Sequence, residues 1–382
     1  MIRLKNVWQL VPVAIIIILL ISEVIWYIPP HPKPGTLQVL EVSPGSQSEV
    51  TVKYQLSATL PLDATVVITP VVEQPQDLPI YVFYDENYPG IYASKKITLI
   101  QGSMLWVHVK TELYLRNYSA EVKLASAEEL ESLFSTNSTA IVIMASGALP
   151  SNVFSWETNL VKPWIDSGGT LIWFGWVPGW YVVEKGQRDE EISCNMSQHL
   201  YQEGPRRLGL EGYFEYMPLE EHPTVAEISS PLSNALDTTY NLIQQAPYLH
   251  KVLFENGLVL GKIGGNSSKL RSSISMIRVG EGKIIIFGFF LTSSLVLNGP
   301  ELAARDIAQI LCSGILQVGA DPDPSYRIYH LLEGETKTDT VELSVDGDVY
   351  SEIIGLIVYG YASRDSIGLL FHREFVLLKK SE

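Results

Sequence analysis

Cys194 and Cys312 are the only cysteines in the 382-residue chain. A thiol becomes a nucleophile when a neighbouring base or cation lowers its pKa. Cys194 stands in the acidic stretch EEISCNMS, a poor setting for that. The two could instead form one disulfide closing a long loop, as an oxidising compartment permits, or remain separate buried thiols. Seven histidines are scattered, with no pair at helical ligand spacing. Asp346-Gly347 reads as a hairpin turn pair rather than a calcium ligand set. GKIGG and GEGK are too short to cradle phosphate, so no cofactor and no metal are expected. Two groups remain. Ser146-Gly147 follows the apolar run TAIVIMA, at the carboxyl end of a strand, where open α/β sheets place their sites. Trp176, Trp180 and Tyr181 surround Pro178-Gly179 just past another strand end. Exposed, they would stack on a sugar or a protein; the alternative is packing beneath the acidic segment that follows.

Those residues need a scaffold, and composition bounds it. The chain is 46% apolar and 18% charged, enough for a real core in two or three domains. Its formal charge of −15 excludes a nucleic-acid partner, because phosphate binding needs a basic face.

The N-terminus predicts an address. Arg3 and Lys5 precede the apolar run Trp8 to Ile28, which is long enough for the roughly 20 residues a spanning helix needs. Trp8, Trp26 and Tyr27 fall where interfacial anchors lie, and the leading cations orient the tip to the cytoplasm. No small-residue cleavage site follows, so an uncleaved anchor is expected, with the bulk of the chain extracytoplasmic. Four glycosylation acceptors, Asn117, Asn137, Asn195 and Asn266, all lie beyond it.

Periodicity divides the chain. Residues 1–6 form a cytoplasmic tip, 7–28 the anchor and 29–35 a Pro-rich spacer. Residues 36–75 alternate with period two, as Val50, Val52, Tyr54 and Leu56 show, and read as strands. Residues 76–318 alternate strands with helices, implying parallel βαβ units. One helix is opened by Ser126 with Glu129 three residues on, a capping box. Another is expected from Ser151 to the Gly168-Gly169 pair. Residues 184–269 interrupt this domain as an irregular acidic excursion. Residues 319–382 return to strands. With residues 36–75 they supply the strand number of an immunoglobulin-like sandwich, formed jointly or as two β layers.

IVIMASGALP, IDSGGTLIWFG and IRVGEGKIIIFGFF resemble the class I glutamine amidotransferase-like superfamily over Pro79 to Leu316. The resemblance implies a flavodoxin-like α/β fold with a parallel sheet. In catalytic members the strand matching TLIWFG ends at an elbow bearing Cys, activated by a later His. Here the elbow reads Phe174-Gly175-Trp176, and LTSSLVLNGP, after the late strand, holds no His. In such enzymes the turn matching Ser146-Gly147 supplies backbone donors to an oxyanion.

The expected whole is a flavodoxin-like domain flanked by β-sandwich segments behind one transmembrane helix. Its expected function is a catalytically silent binding or scaffold module with a protein partner at the cell surface. One alternative is an envelope hydrolase using carboxylates of residues 184–221. Another is a glycan-binding module using Trp176, Trp180 and Tyr181.

Overall fold

The computed structural model describes residues 33–44, 48–88, 90, 97–116, 118–175, 177–187, 203–210, 214–215, 225–228, 239–241, 251–252, 257–264, 272–288, 299–318, 325–345, 347–364 and 367–378. The chain begins with β1 (Gly35–Pro44), β2 (Glu49–Ala58) and β3 (Leu62–Val71). It continues through β4 (Ile80–Phe83), α1 (Ile97–Leu115), β5 (Val122–Ala125), α2 (Ala127–Ser135), β6 (Ile141–Met144) and β7 (Leu149–Pro150). Next are α3 (Val161–Asp166), β8 (Thr170–Phe174), β9 (Val182–Val183), α4 (Glu203–Arg207), β10 (Phe214–Glu215) and β11 (Val225–Ile228). Then come β12 (Thr239–Asn241), β13 (Lys251–Val252), β14 (Gly257–Gly264), β15 (Ser272–Val279), β16 (Gly282–Phe287) and α5 (Gly299–Ser313). The last elements are β17 (Ser325–Leu331), β18 (Thr336–Ser344), α6 (Gly347–Glu352), β19 (Gly355–Arg364) and β20 (Ile367–Leu377).

The central sheet has nine strands in the order β12-β11-β14-β15-β16-β8-β6-β4-β5. From β16 to β5 neighbours are parallel; from β16 to β12 they are antiparallel. The expected flavodoxin-like sheet, parallel throughout, is therefore corrected to a mixed one. The physical reason is the tight turn at Gly280-Glu281-Gly282. It joins β15 to β16 as a hairpin, and a hairpin can only run antiparallel. Gly280 has φ 59°, which favours glycine, and a Cβ at Gly282 would overlap the carbonyls of Ile165 and Gly169.

Two further sheets, β1-β2-β18 and β17-β3-β19-β20, hold strands from both ends of the chain. They share one core, in which Val50, Val52, Tyr54 and Leu56 have no exposed surface. The same alternation aims Val67, Val71, Ile357 and Tyr359 out of the other face of the second sheet. There they meet α1 and α5, whose opposite sides pack on Ile143, Ile172, Phe174 and Ile285 of the central sheet. The layers are thus sandwich, helix pair, mixed sheet, and a last layer with α2 and α3. Helix α5 is buried on nearly every side, and its alanines at 303, 304 and 308 let two sheets approach it closely.

Two expected elements differ. Of the helix expected from Ser151, only Val161–Asp166 forms. Ser155 Oγ accepts from the backbone N–H groups of Glu157 and Thr158, and Asn159 Oδ1 from that of Lys162. These local bonds offer the backbone an alternative to the helix. Gly347 opens the helix α6 instead of a hairpin; Asp346 lies outside the described residues.

The expected anchor is also corrected. Among the described residues no helix is long and apolar enough to cross a membrane, so a single-pass anchor and the address built on it have no structural support. Residues 7–28 themselves lie outside the described residues.

Candidate functional site

Four of the five parallel strands, β4, β6, β8 and β16, begin side by side at one end of the central sheet. Their entry points are set by backbone bonds: Ile141 N–H to Pro79, Thr170 to Ala140 and Lys283 to Gly169, at 2.9–3.1 Å. The sandwich approaches this end through the segment that leaves β3. Val72 N–H donates to the carbonyl of Gln317 at 2.9 Å, which ties the sandwich to the turn after α5, and Ile354 N–H donates to Val71 at 2.9 Å within the sandwich. Between them lies a cavity of about 480 Å³. Its floor is apolar, with Ile141, Leu311 and Leu316. Its walls carry hydroxyls of Thr139 and Thr170, the amides of Gln74, Gln76 and Gln317, and the ring of Tyr118.

One ion pair dominates the charge of the cavity. Lys283 Nζ donates to Glu73 Oε2 at 2.7 Å. The lysine side chain is 8% exposed and the glutamate 41%. Arg278 Nη2 lies 3.8 Å from the other oxygen of Glu73 and also donates to the carbonyl of Val318. Two cations from the β15–β16 hairpin thus converge on one carboxylate from the sandwich side. A buried ammonium is tolerated only with such a counter-charge. Glu281, exposed at the hairpin tip, is the other carboxylate of the lining. Burial pushes the Tyr118 phenol up to about 12, against the opposing pull of Arg373, which stacks 5.4 Å from its ring centre. The set can hydrogen-bond a polar ligand, stack on it and meet its charge.

The sequence-derived candidates gather elsewhere. Ser146 and Gly147 lie at the carboxyl ends of the strands, opposite the cavity. Ser146 Oγ donates to the carbonyl of Ala148 at 2.8 Å, and Gly147 takes φ 67° in the turn. Tyr181 is buried and Trp180 half-buried, both packed against the core that holds β9. Trp176 lies outside the described residues. Gly175, at the expected elbow, spends its N–H on the carbonyl of Phe287. Of the acidic excursion, Glu184, Glu203, Glu215 and Glu227 are among the described residues, and none is in the cavity lining.

Cys312 is free and buried in α5, and burial pushes its thiol up to about 11. Cys194 lies outside the described residues, as do Asn117, Asn195 and Asn266. Asn137 is exposed in a left-handed turn after α2, φ 48°. No group of metal ligands occurs among the described residues.

Sequence reasoning missed Glu73 and Lys283. A signal was present: Lys283 is a charged residue opening the apolar strand KIIIF, directly after a glycine turn. A lysine there must find a partner, although sequence does not name it.

No family model and no curated protein matches the chain. Among solved structures it is similar to a catalytic mutant of a GH42 beta-galactosidase from G. stearothermophilus, at 15% identity and TM-score 0.39, covering 64% of this chain and 31% of that one. It is similar to a beta-galactosidase from Bacillus circulans sp. alkalophilus, at 14% identity and TM-score 0.38, covering 63% and 32%. An exo-beta-1,4-mannosidase from Opitutaceae bacterium strain TAV5 follows, at 9% identity and TM-score 0.34, covering 65% and 37%. The match spans about a third of those enzymes' length. The resemblance to class I glutamine amidotransferase-like proteins is corrected on the fold: the sheet is mixed where the resemblance implies a parallel one, and no family model matches the chain.

Proposed function

We propose that this chain binds a small, hydroxyl-rich ligand of the saccharide class in the cavity between the sandwich and the amino ends of the central strands. The observation that carries this reading is the polar lining itself. The layers on either side meet through apolar side chains, yet this pocket gathers amides, hydroxyls, one aromatic ring and a buried ammonium. Pockets that orient small ligands combine an apolar body with a few placed polar groups. Amides and hydroxyls can both donate and accept, which suits the alternating demands of sugar hydroxyls.

A second reading is hydrolysis of a glycosidic bond, favoured by Glu73 and Glu281 sharing one cavity. Such chemistry uses two carboxyl groups about 5–10 Å apart. It would place the reacting acids in the cavity rather than in residues 184–221.

Saturation-transfer NMR against a panel of neutral and acidic mono- and disaccharides tests the first reading. Gln76→Trp, at the exposed rim, plugs the mouth without touching the core. Binding by the natural chain and its loss in the variant supports the reading; equal signals from both, or none from either, refutes it. Turnover of aryl glycosides, abolished by Glu281→Gln, is the result the hydrolase reading requires.

A further inference from the structure

We infer that the ligand of this cavity carries a carboxylate, which takes the place of Glu73 on Lys283; the inference rests on the binding reading above. The two partners of the ion pair are held very differently. Lys283 is fixed. Its residue lies in β16, paired on one side with the β15 hairpin and on the other with β8. Its side chain is 8% exposed, and both it and its partner Glu73 belong to the cavity lining. Glu73 is not fixed in that way. It belongs to the irregular segment between β3 and β4 and is 41% exposed.

The charges favour exchange. Arg278 also approaches Glu73, so two cations serve one carboxylate. The remaining carboxylates that oppose an incoming anion are Glu281 at the hairpin tip and Asp77 near Tyr118, both exposed, where water and salt screen them. Arg373 stands behind Tyr118 and adds positive charge from the helix side. A ligand carboxylate would therefore meet a prepositioned, desolvated ammonium and displace only a half-exposed side chain. Glu73 in this view is an internal stand-in that keeps Lys283 paired while the cavity is empty of ligand. A uronic acid joins that carboxylate to hydroxyls suited to Thr139, Thr170 and the glutamines.

The test is calorimetric titration of the full chain with D-glucuronate and, separately, D-glucose. A charge-assisted bond makes the natural chain bind glucuronate about tenfold tighter than glucose or more. Glu73→Gln removes the competitor, so the ratio of glucuronate to glucose affinity widens further. Lys283→Met brings glucuronate down to glucose. Equal binding of the two sugars by the natural chain overturns this inference and leaves the cavity reading standing. A failure of either sugar to bind, with none of the wider panel binding, overturns the cavity reading and this inference with it. Glu73→Gln is nearly isosteric and half-exposed, so its arm holds even if Lys283→Met unfolds.

Discussion

Lys283 and Glu73 are 210 residues apart in the chain and 2.7 Å apart in space. One stands at the start of a central strand, the other just beyond the sandwich. Their bond closes the seam beside the cavity, and it does so with a buried cation and a half-exposed anion.

That asymmetry gives unequal mutational costs. Glu73→Ala strands a buried ammonium and is expected to cost about 2 kcal/mol. Lys283→Met removes the buried charge and leaves Glu73 with Arg278 and water, so its cost is expected to stay below about 1 kcal/mol. Urea denaturation of both variants checks the order. A larger loss for Lys283→Met would mean that the lysine stem, not its charge, holds the seam.

Gly282 sets the register in which Lys283 enters β16. A Cβ there meets two backbone carbonyls, which have no flexible end to move aside. Gly282→Ala is expected to destabilise by more than about 3 kcal/mol, while alanine at Gly334, with nothing near its Cβ, costs about 1 kcal/mol from its positive φ alone. Thermal unfolding of the two variants side by side measures the contrast.

The sandwich carries its own pH dependence. Burial pushes the Tyr54 phenol up to about 12, and the hydrogen bond with Tyr329 only partly offsets this. A raised folded pKa means stability that is complete below the unfolded value of about 10 and is lost as pH climbs through about 12. Asp339 goes the other way: the 2.5 Å bond from Tyr329 holds its carboxyl below the usual range. Its contribution is present above about pH 4 and is lost as pH falls through the lowered value. Melting temperature against pH is expected to fall on both flanks. Asp339→Asn is expected to flatten the acid flank, and Tyr54→Phe part of the alkaline one, since Tyr118 and Tyr361 are also raised to about 12.

Local chemistry was legible in the sequence wherever it was carried by neighbours. Ser126 and Glu129 form the capping box that their spacing implies. The run Thr170–Phe174 is a strand buried on both faces, Leu171 and Trp173 to one core, Ile172 and Phe174 to the other. Sheet order was not legible. Strands parallel on one side of β16 and antiparallel on the other share the same apolar composition, and only the Gly280–Gly282 turn separates the two cases. The cavity was less legible still. Its walls come from residues 72–78, 118, 139–141, 167–170, 281–283, 311–317 and 354, which no local pattern joins. Ser146 and Gly147, at the carboxyl ends of the strands, lie at the opposite end of the sheet from these residues.

Hydrogen–deuterium exchange with and without saturating glucuronate, and again with glucose, tests the central claim most directly because it reports where a ligand sits. The account expects slower exchange confined to the segment 72–79, the strand entries near 139–141 and 168–170, and the hairpin 280–284. Protection at Ala145–Gly147 and Gly175–Tyr181 instead would move the site to the carboxyl ends of the strands and contradict the account, and so would exchange unchanged by every sugar.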